Sequence, residues 1–293
     1  MSLHALYDVP APAKLNLFLH VVGRRADGYH LLQSVFVLID WCDTLHFERR
    51  TDGRLQRHDL GAALPAEDLC LAAARLLKSE SDCSLGADIS IDKRVPWAAG
   101  LGGGSSDAAS TLLALNRLWG LGWPRERLAA LATRIGADVP FFIGGRNAFV
   151  EGIGERLTPL ELPRQWFAVA KARSGLATAD IFKHPALSRE SPAAILSGFL
   201  ADASKLGFWG QDYGRNDLQP PAEALCPEVV LTAGWLAAHF GNSRMTGSGS
   251  AVFARNGMDD QPLVTWPAEP LPPGWVGRMC RSLEQHPLRD WTG

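Results

Sequence analysis

The stretch Gly100-Leu101-Gly102-Gly103-Gly104-Ser105-Ser106-Asp107 sets four glycines and two hydroxyl side chains directly before an alanine- and leucine-rich run. Glycine loses more conformational freedom on folding than any other residue, so a loop this rich in it serves where backbone must turn unusually or approach another group closely. The run from Ser106 to Trp119 reads as a helix capped by Ser105 or Ser106 and stopped by Gly120. A helix N-terminus presents unpaired N–H groups and partial positive charge, and bare backbone ahead of it adds more donors; that combination suits a di- or triphosphate. On the glycines alone, a tight strand-to-helix turn without a ligand stands as the alternative.

Other polar groups sit where apolar neighbours make them conspicuous. Asp138 opens the run Val139-Pro140-Phe141-Phe142-Ile143, so its carboxylate either caps the next segment or serves chemistry. Lys14 and Asn16 are two residues apart in an alternating stretch and therefore share a strand face. Tyr29 and His30 follow the turn-like Arg25-Ala26-Asp27-Gly28, and a second glycine-serine loop runs Thr246-Gly247-Ser248-Gly249-Ser250. Several phosphate and nucleophile signatures are excluded by spacing. The chain has no Gly-Lys pair for a P-loop, its G-x-G-x-x-G would need a glycine at Ser105, and no H-R-D, D-F-G or G-x-S-x-G occurs.

The elements that must position these groups alternate in type. Lys14–Val22 and Gln33–Ile39 read as strands, Glu67–Lys78 as a helix, Ala87–Asp92 as a strand, and Pro124–Ile135 as a helix with Gly136 as its cap. Trp166–Lys171 and Ala251–Ala254 read as strands, and Pro262–Pro273 as a surface wrap. Mixed α and β elements over 293 residues suit one large or two smaller domains, with a change of unit near Glu161-Leu162-Pro163. A net charge of −2 offers no general attraction for nucleic acid or an anionic membrane, so an anion site must be made locally. Five cysteines without a C-x-x-C pair argue against a zinc site or a disulfide framework. With no stretch of 18 apolar residues and no leader pattern in MSLHALYDVPAPAK, a soluble cytoplasmic protein is expected.

In chain order, Pro12-Ala13-Lys14-Leu15-Asn16-Leu17, then Pro96-Trp97-Ala98-Ala99 continuing through the Gly100–Asp107 loop to Ala108-Ala109, then Thr246–Ser250 resemble the three motifs of the GHMP kinase superfamily. Arg24-Arg25-Ala26-Asp27-Gly28-Tyr29-His30, Gly136–Phe142 and Gly152-Ile153-Gly154-Glu155 narrow the resemblance further. It narrows to the branch whose acceptor is a methylerythritol carrying a cytidine diphosphate group, in non-mevalonate isoprenoid precursor synthesis. The resemblance runs from about Pro12 to at least Ala254.

What the resemblance implies is an α+β, two-domain GHMP kinase fold. Its N-terminal ATP-binding domain would span 1–160 and a ferredoxin-like C-terminal substrate domain 161–293, with the active site between them. ATP with Mg²⁺ would be the donor and the acceptor's 2-hydroxyl the nucleophile, with no nucleic-acid or membrane partner, and with the ligands of the metal and the oligomeric state left open. Asp138 would accept the hydroxyl proton, Lys14 would pair with it, and Asn16 would hydrogen-bond the acceptor. Tyr29 and Phe182 would sandwich the cytosine, with His30 on its edge and Thr178 nearby. Lys93, Pro96, Gly100, Leu101, Gly102, Gly103, Gly104, Ser105, Ser106 and Asp107 would surround the nucleotide, and Gly247, Ser248 and Gly249 the transferred phosphate. One departure is Asp68-Leu69, where the family pattern usually reads Asn-Leu; a carboxylate accepts from an adenine amino group but cannot donate back. The alternatives are a GHMP kinase of the homoserine or mevalonate type, which would have no use for Tyr29-His30, and a non-catalytic binding module, which would have none for Lys14 with Asp138.

Overall fold

The computed structural model describes residues 3–65, 68–194, 196, 214–258 and 260–292. It opens with a long antiparallel hairpin, β1 (Ala5–Arg24) on β2 (His30–Arg50), turned at Arg25–Tyr29 with Gly28 at φ +92°. Among the described strands β1 pairs with β2 alone, and that explains why it tolerates Pro10 and Pro12: a proline lacks the ladder donor, and an edge strand can spare it. The free edge of β1 is used elsewhere, since Lys14 N–H donates to Leu101 O at 2.9 Å and Leu19 N–H to Arg215 O at 3.1 Å. The first of these bonds ties the glycine loop to the strand that carries Lys14.

β2 shares its other edge between two partners. Ser34–Phe36 pair with β5 (Ala148–Glu151), and Thr44–Arg50 pair with β4 (Gly86–Asp92). With β3 (Leu55–Asp59) and β6 (Arg156–Pro159) the six-stranded sheet runs β3-β4-β2-β5-β6, with β1 also on β2. Both faces of β2 are buried. Phe36, Leu38, Leu45 and Phe47 pack under α1 (Leu69–Ser81), α2 (Gly103–Leu118), α3 (Arg125–Ala132) and α4 (Val139–Gly144). The alternate residues Val35, Val37 and Ile39 pack against Phe149, Phe167 and Phe253. Side chains of this size contribute about 1.5–3 kcal/mol each when fully buried, so the continuous apolar run of β2 is the spine joining the two halves.

The second half is a four-stranded antiparallel sheet of β7 (Trp166–Lys171), β8 (Arg244–Met245), β9 (Val252–Arg255) and β10 (Val276–Arg281). Its order β10-β7-β9-β8 is that of a ferredoxin-like sheet. Helices α5 (Thr178–Lys183), α6 (Gln219–Leu225) and α7 (Pro227–Phe240) belong to it, and Ile181, Ala222, Val229, Leu236 and Phe240 pack on Ala168, Ala170, Val252 and Ala254. The architecture is α+β.

Several helix boundaries differ from the sequence reading: α1 begins at Leu69, after its cap Asp68, and runs to Ser81, three residues past the expected Lys78. α2 begins at Gly103, with Gly102 as its cap at φ +70° and no capping side chain, so neither Ser105 nor Ser106 caps it. The glycines thus form the first turn of the helix as well as the loop before it. α3 stops at Ala132, and the tighter bonds Arg134 N–H to Leu131 O and Ile135 N–H to Ala132 O carry the chain on toward Gly136. All five cysteines are free thiols. Among the described residues no helix is long and apolar enough to cross a membrane.

Candidate active site

A cavity of about 1310 Å³ runs along the free edge of β1, walled by the hairpin turn, the loop before α2, the start of α4, α5 and the 247–249 loop. Single-ligand clefts are commonly about 300–1,000 Å³, so this one has room for two substrates side by side. Of the residues expected from sequence, Lys14, Asn16, Tyr29, His30, Lys93, Pro96, Gly100, Leu101, Gly102, Gly103, Gly104, Ser105, Asp107, Asp138, Thr178, Phe182, Gly247, Ser248 and Gly249 all line it. Ser106 does not: the earlier helix start turns it inward, where its side chain is buried and its hydroxyl lacks a hydrogen-bond partner among the described residues.

At the centre, Lys14 Nζ lies 3.5 Å from Asp138 Oδ2 and donates to Asn16 Oδ1 at 2.5 Å. Asp138 occupies the cap position of α4 but makes no capping hydrogen bond, so the sequence alternative of a plain helix cap does not account for its carboxylate. That carboxylate is 31% exposed while Lys14 is only 4% exposed, leaving the acid open to the cavity and the ammonium behind it. Burial pushes the Lys14 pKa below the ordinary lysine value, and Asp138 opposes the shift. A carboxylate held this way can receive a hydroxyl and its proton.

Asn16 is fixed by Lys14, Ser34 and Thr246. Its amide donates to Ser34 Oγ at 2.9 Å, its backbone N–H donates to Thr246 Oγ1 at 2.9 Å, and Thr246 Oγ1 reaches Gly100 O at 3.4 Å. Thr246, fully buried, therefore bridges the strand of Lys14 to the glycine loop. The two glycine loops interlock directly as well, with Ser250 N–H on Ala98 O at 3.2 Å and Ala251 N–H on Ala99 O at 3.1 Å.

Beside the loop, Lys93 Nζ binds Asp43 Oδ2 and, at 2.6 Å, Asp107 Oδ2. Asp43 also accepts from the backbone of Arg94 at 2.6 Å and Val95 at 2.8 Å, anchoring the segment that leads into the loop. Burial raises the Asp107 pKa well above the carboxylate range, against the pull of Lys93. Its Oδ1 has no partner among the described residues. Asp43 and Thr246 were not singled out from sequence. The signals were present, in an acid within the apolar strand Phe36–Phe47 and a β-branched hydroxyl opening a glycine loop, but each has a commonplace structural reading.

The far end holds the aromatics. His30 and Phe182 are stacked, with ring centroids 5.0 Å apart at 22°, while Tyr29 is 60% exposed. The sequence reading paired Tyr29 with Phe182 and left His30 on the edge; in the structure His30 is the ring against Phe182. His30 Nε2 is buried without a partner among the described residues. Thr178 Oγ1 and Ser248 Oγ, 2.7 Å apart, join α5 to the second loop. Asp68 caps α1 by accepting Leu71 N–H at 2.8 Å on Oδ1 and pairs through Oδ2 with Arg57 at 2.8 Å, so both its oxygens already have partners in the protein.

Comparison with known proteins decides the lineage. A protein of Methylibium petroleiphilum named 4-diphosphocytidyl-2-C-methyl-D-erythritol kinase is 66% identical over 294 residues, covering all of both chains. The chain belongs to the 4-diphosphocytidyl-2-C-methyl-D-erythritol kinase family. A Variovorax paradoxus member of that family is 55% identical, over 98% of this chain and 99% of its own. A crystal structure described as 4-(cytidine 5'-diphospho)-2C-methyl-D-erythritol kinase superposes with TM-score 0.71 at 37% identity, covering 85% of this chain and 88% of that one. The family described as GHMP kinases N terminal domain matches residues 68–146, which carry α1, the glycine loop and Asp138. Homoserine kinase from Cytophaga hutchinsonii, 14% identical with TM-score 0.67 over 97% of this chain and 95% of its own, shares the fold. Like the other members of its family, the protein is a kinase of the GHMP superfamily.

Proposed function

We propose that the protein transfers the γ-phosphate of ATP to the 2-hydroxyl of 4-diphosphocytidyl-2-C-methyl-D-erythritol, in the non-mevalonate route to isoprenoid precursors, with Asp138 accepting the proton and Lys14 as its partner. The observation that carries this reading is the open Asp138 carboxylate, backed by buried Lys14 and facing a cavity whose flank is the N-terminus of α2. The first N–H groups of a helix have no intrahelical partner, and here the residues that bear them are Gly103, Gly104 and Ser105 on the cavity wall. A Cβ on Gly104 would meet only Leu69 Cδ1, at 3.7 Å, so phosphate can approach the backbone closely.

Because the phosphoryl transition state is loose, catalysis rests on positioning and on stabilising charge, and proton transfer comes late. Asp138 orients the hydroxyl. Lys14 keeps the carboxylate ionised and, through Asn16, is held in register with the loop. Mg²⁺, when bound with the substrate phosphates, would supply charge neutralisation, and such an ion takes one or two protein groups. Ser105 and the unpartnered Oδ1 of Asp107 fit that need and would hold it. The two working units divide at 160/161 in this proposal, and the free thiols suit the cytoplasm.

The direct test is ADP formation with ATP, Mg²⁺ and the cytidine diphosphate acceptor, beside homoserine and mevalonate; turnover of either of the latter in preference would overturn the assignment. The cytosine would stack on the exposed Tyr29 ring with its edge toward His30, whose Nε2 is buried without a partner among the described residues. Tyr29→Ala is then expected to weaken acceptor binding about 5- to 150-fold, the equivalent of about 1–3 kcal/mol of stacking, with ATP affinity unchanged. His30→Ala leaves the base edge unread and is expected to erode discrimination between cytosine and uracil. Calorimetric titration of both variants with the cytidine compound and a uridine counterpart checks this. Unchanged acceptor binding in Tyr29→Ala would place the base elsewhere.

A further inference from the structure

α4, which carries Asp138 at its head, is six residues long and therefore roughly 9 Å from end to end. The carbonyls that close a helix have no partner within it. Here Ile143 O accepts from Arg125 Nη1, Gly144 O from Arg289 Nη1 at 2.9 Å, and Gly145 O from His286 N–H at 2.9 Å. Arg125 Nη2 also donates to Arg289 O, so the two arginines and the helix end close into one clasp. Arg289 and His286 belong to segment 283–291, which leaves β10 of the second sheet and returns to the first. Leu283 N–H donates to Leu38 O at 2.8 Å, Asn147 Nδ2 donates to Leu283 O at 2.9 Å, and Leu288 is buried in the same cluster as Phe141 and Phe142. Gly145 permits the approach, since at φ +67° a Cβ there would stand 3.3 Å from His286 Cβ.

Two guanidiniums are a costly way to close a short helix. Among the described residues neither has a carboxylate in ion-pair contact, and the Arg125 pKa is lowered from its ordinary value by burial and then by Arg289. What offsets that cost is the carbonyls they reach, because hydrogen bonds from charged donors are the strong ones. The apolar contacts of α4 act differently. Phe141 and Phe142 are buried, and Phe141 meets the Phe36 ring edge-on at 5.2 Å. Such contacts are non-directional; they press the helix onto the sheet without fixing it along its axis. Directional bonds to the last carbonyls do fix it. At the other end Asp138 makes no capping hydrogen bond, so the axial position of its carboxylate is set from the far end. A misplacement of about 1 Å at a reacting group costs on the order of 10²-fold in rate.

We infer that Arg125 and Arg289 are positioning residues for Asp138, holding α4 along its axis so that the carboxylate stands at the reacting hydroxyl. This rests on the proposed role of Asp138. It also makes the segment after β10 a tie between the second sheet and the helix that bears the acid.

Steady-state kinetics of Arg289→Gln and Arg289→Lys, each alone and on the Asp138→Asn background, test it. Arg289→Gln is expected to lose about tenfold or more in kcat, with the KM values for ATP and the acceptor close to those of the wild type. Arg289→Lys should recover part of the loss, because an ammonium still reaches Gly144 O. On the Asp138→Asn background Arg289→Gln should cost almost nothing further, since it acts through the same carboxylate. Unchanged kcat in Arg289→Gln, a loss carried by KM, or an equal fold-loss on the Asp138→Asn background would overturn the clasp. Should Arg289→Gln fail to fold, Arg289→Lys and Arg125→Lys, which keep charge and stem, carry the same cycle, and wild-type kcat in both would overturn it. Wild-type turnover in Asp138→Asn would instead sink the functional reading of that carboxylate, so the two failures are told apart.

Discussion

Asp138→Asn is expected to bind both substrates and turn over about 10²–10⁴-fold more slowly, the range for loss of a general base. The substitution keeps the shape and removes the charge, and because Asp138 makes no capping hydrogen bond, α4 loses nothing local. Lys14→Met should be similarly impaired, and the double variant should lose far less than the product of the two, because groups that act as a unit are non-additive. Multiplicative losses would contradict the pairing. Stability gives a second readout. Burial already lowers the Lys14 pKa and Asp138 opposes it, so Asp138→Asn leaves burial unopposed and lowers it further. With a folded pKa below the unfolded one, the unfolded chain binds more protons between the two values, so stability rises with pH across that window. Thermal melts of Asp138→Asn should therefore climb more steeply with alkaline pH than those of the wild type. Parallel curves would mean that Asp138 does not hold the Lys14 charge.

Legibility from sequence followed the range of the interaction. β7 matched the expected Trp166–Lys171, and Lys14 and Asn16 do share a strand face, because alternation is a local property. β1 and β2 were seen only at their most regular segments. Their full lengths depend on partners far along the chain, and Pro10 and Pro12 argue against a strand until its edge position is known. β3, with its charged sequence Leu55–Asp59, carries no alternating apolar signal and exists because β4 pairs with it in parallel. At the site, the residue types and their order pointed to residues that line one cavity, while the links among them are long-range: Thr246 to Asn16, Lys93 to Asp43, His30 to Phe182. Ser106 was misplaced for a plainer reason. A glycine can open a helix without a capping side chain, and that placed Ser106 inside α2 with its hydroxyl buried.

Gly100→Ala is expected to cost both ligands and a large part of the stability, whereas Gly104→Ala should cost ATP alone. At Gly100, φ is +71° and a Cβ would stand 2.2 Å from Thr246 O and 3.0 Å from Gly249 N. Those are backbone atoms of the second loop and cannot swing aside. The positive φ alone costs a non-glycine residue about 1–2 kcal/mol, and the clash adds to it. Relief requires the two loops to part, which breaks the Thr246 bridge to Asn16 and with it the register of Lys14. Gly104 differs on every count: it lies in the first turn of α2, where a Cβ would make only an ordinary contact with Leu69 Cδ1 at 3.7 Å, and alanine is the better helix former by about 1 kcal/mol. Gly104→Ala should therefore melt no lower than the wild type, yet its methyl would stand where phosphate must approach the N–H groups. Thermal melts with and without ATP or the acceptor separate the two variants. If Gly104→Ala keeps its full stabilisation by ATP, the start of α2 is not the phosphate cradle; if Gly100→Ala melts like the wild type, the interlocked loops do not hold the site together.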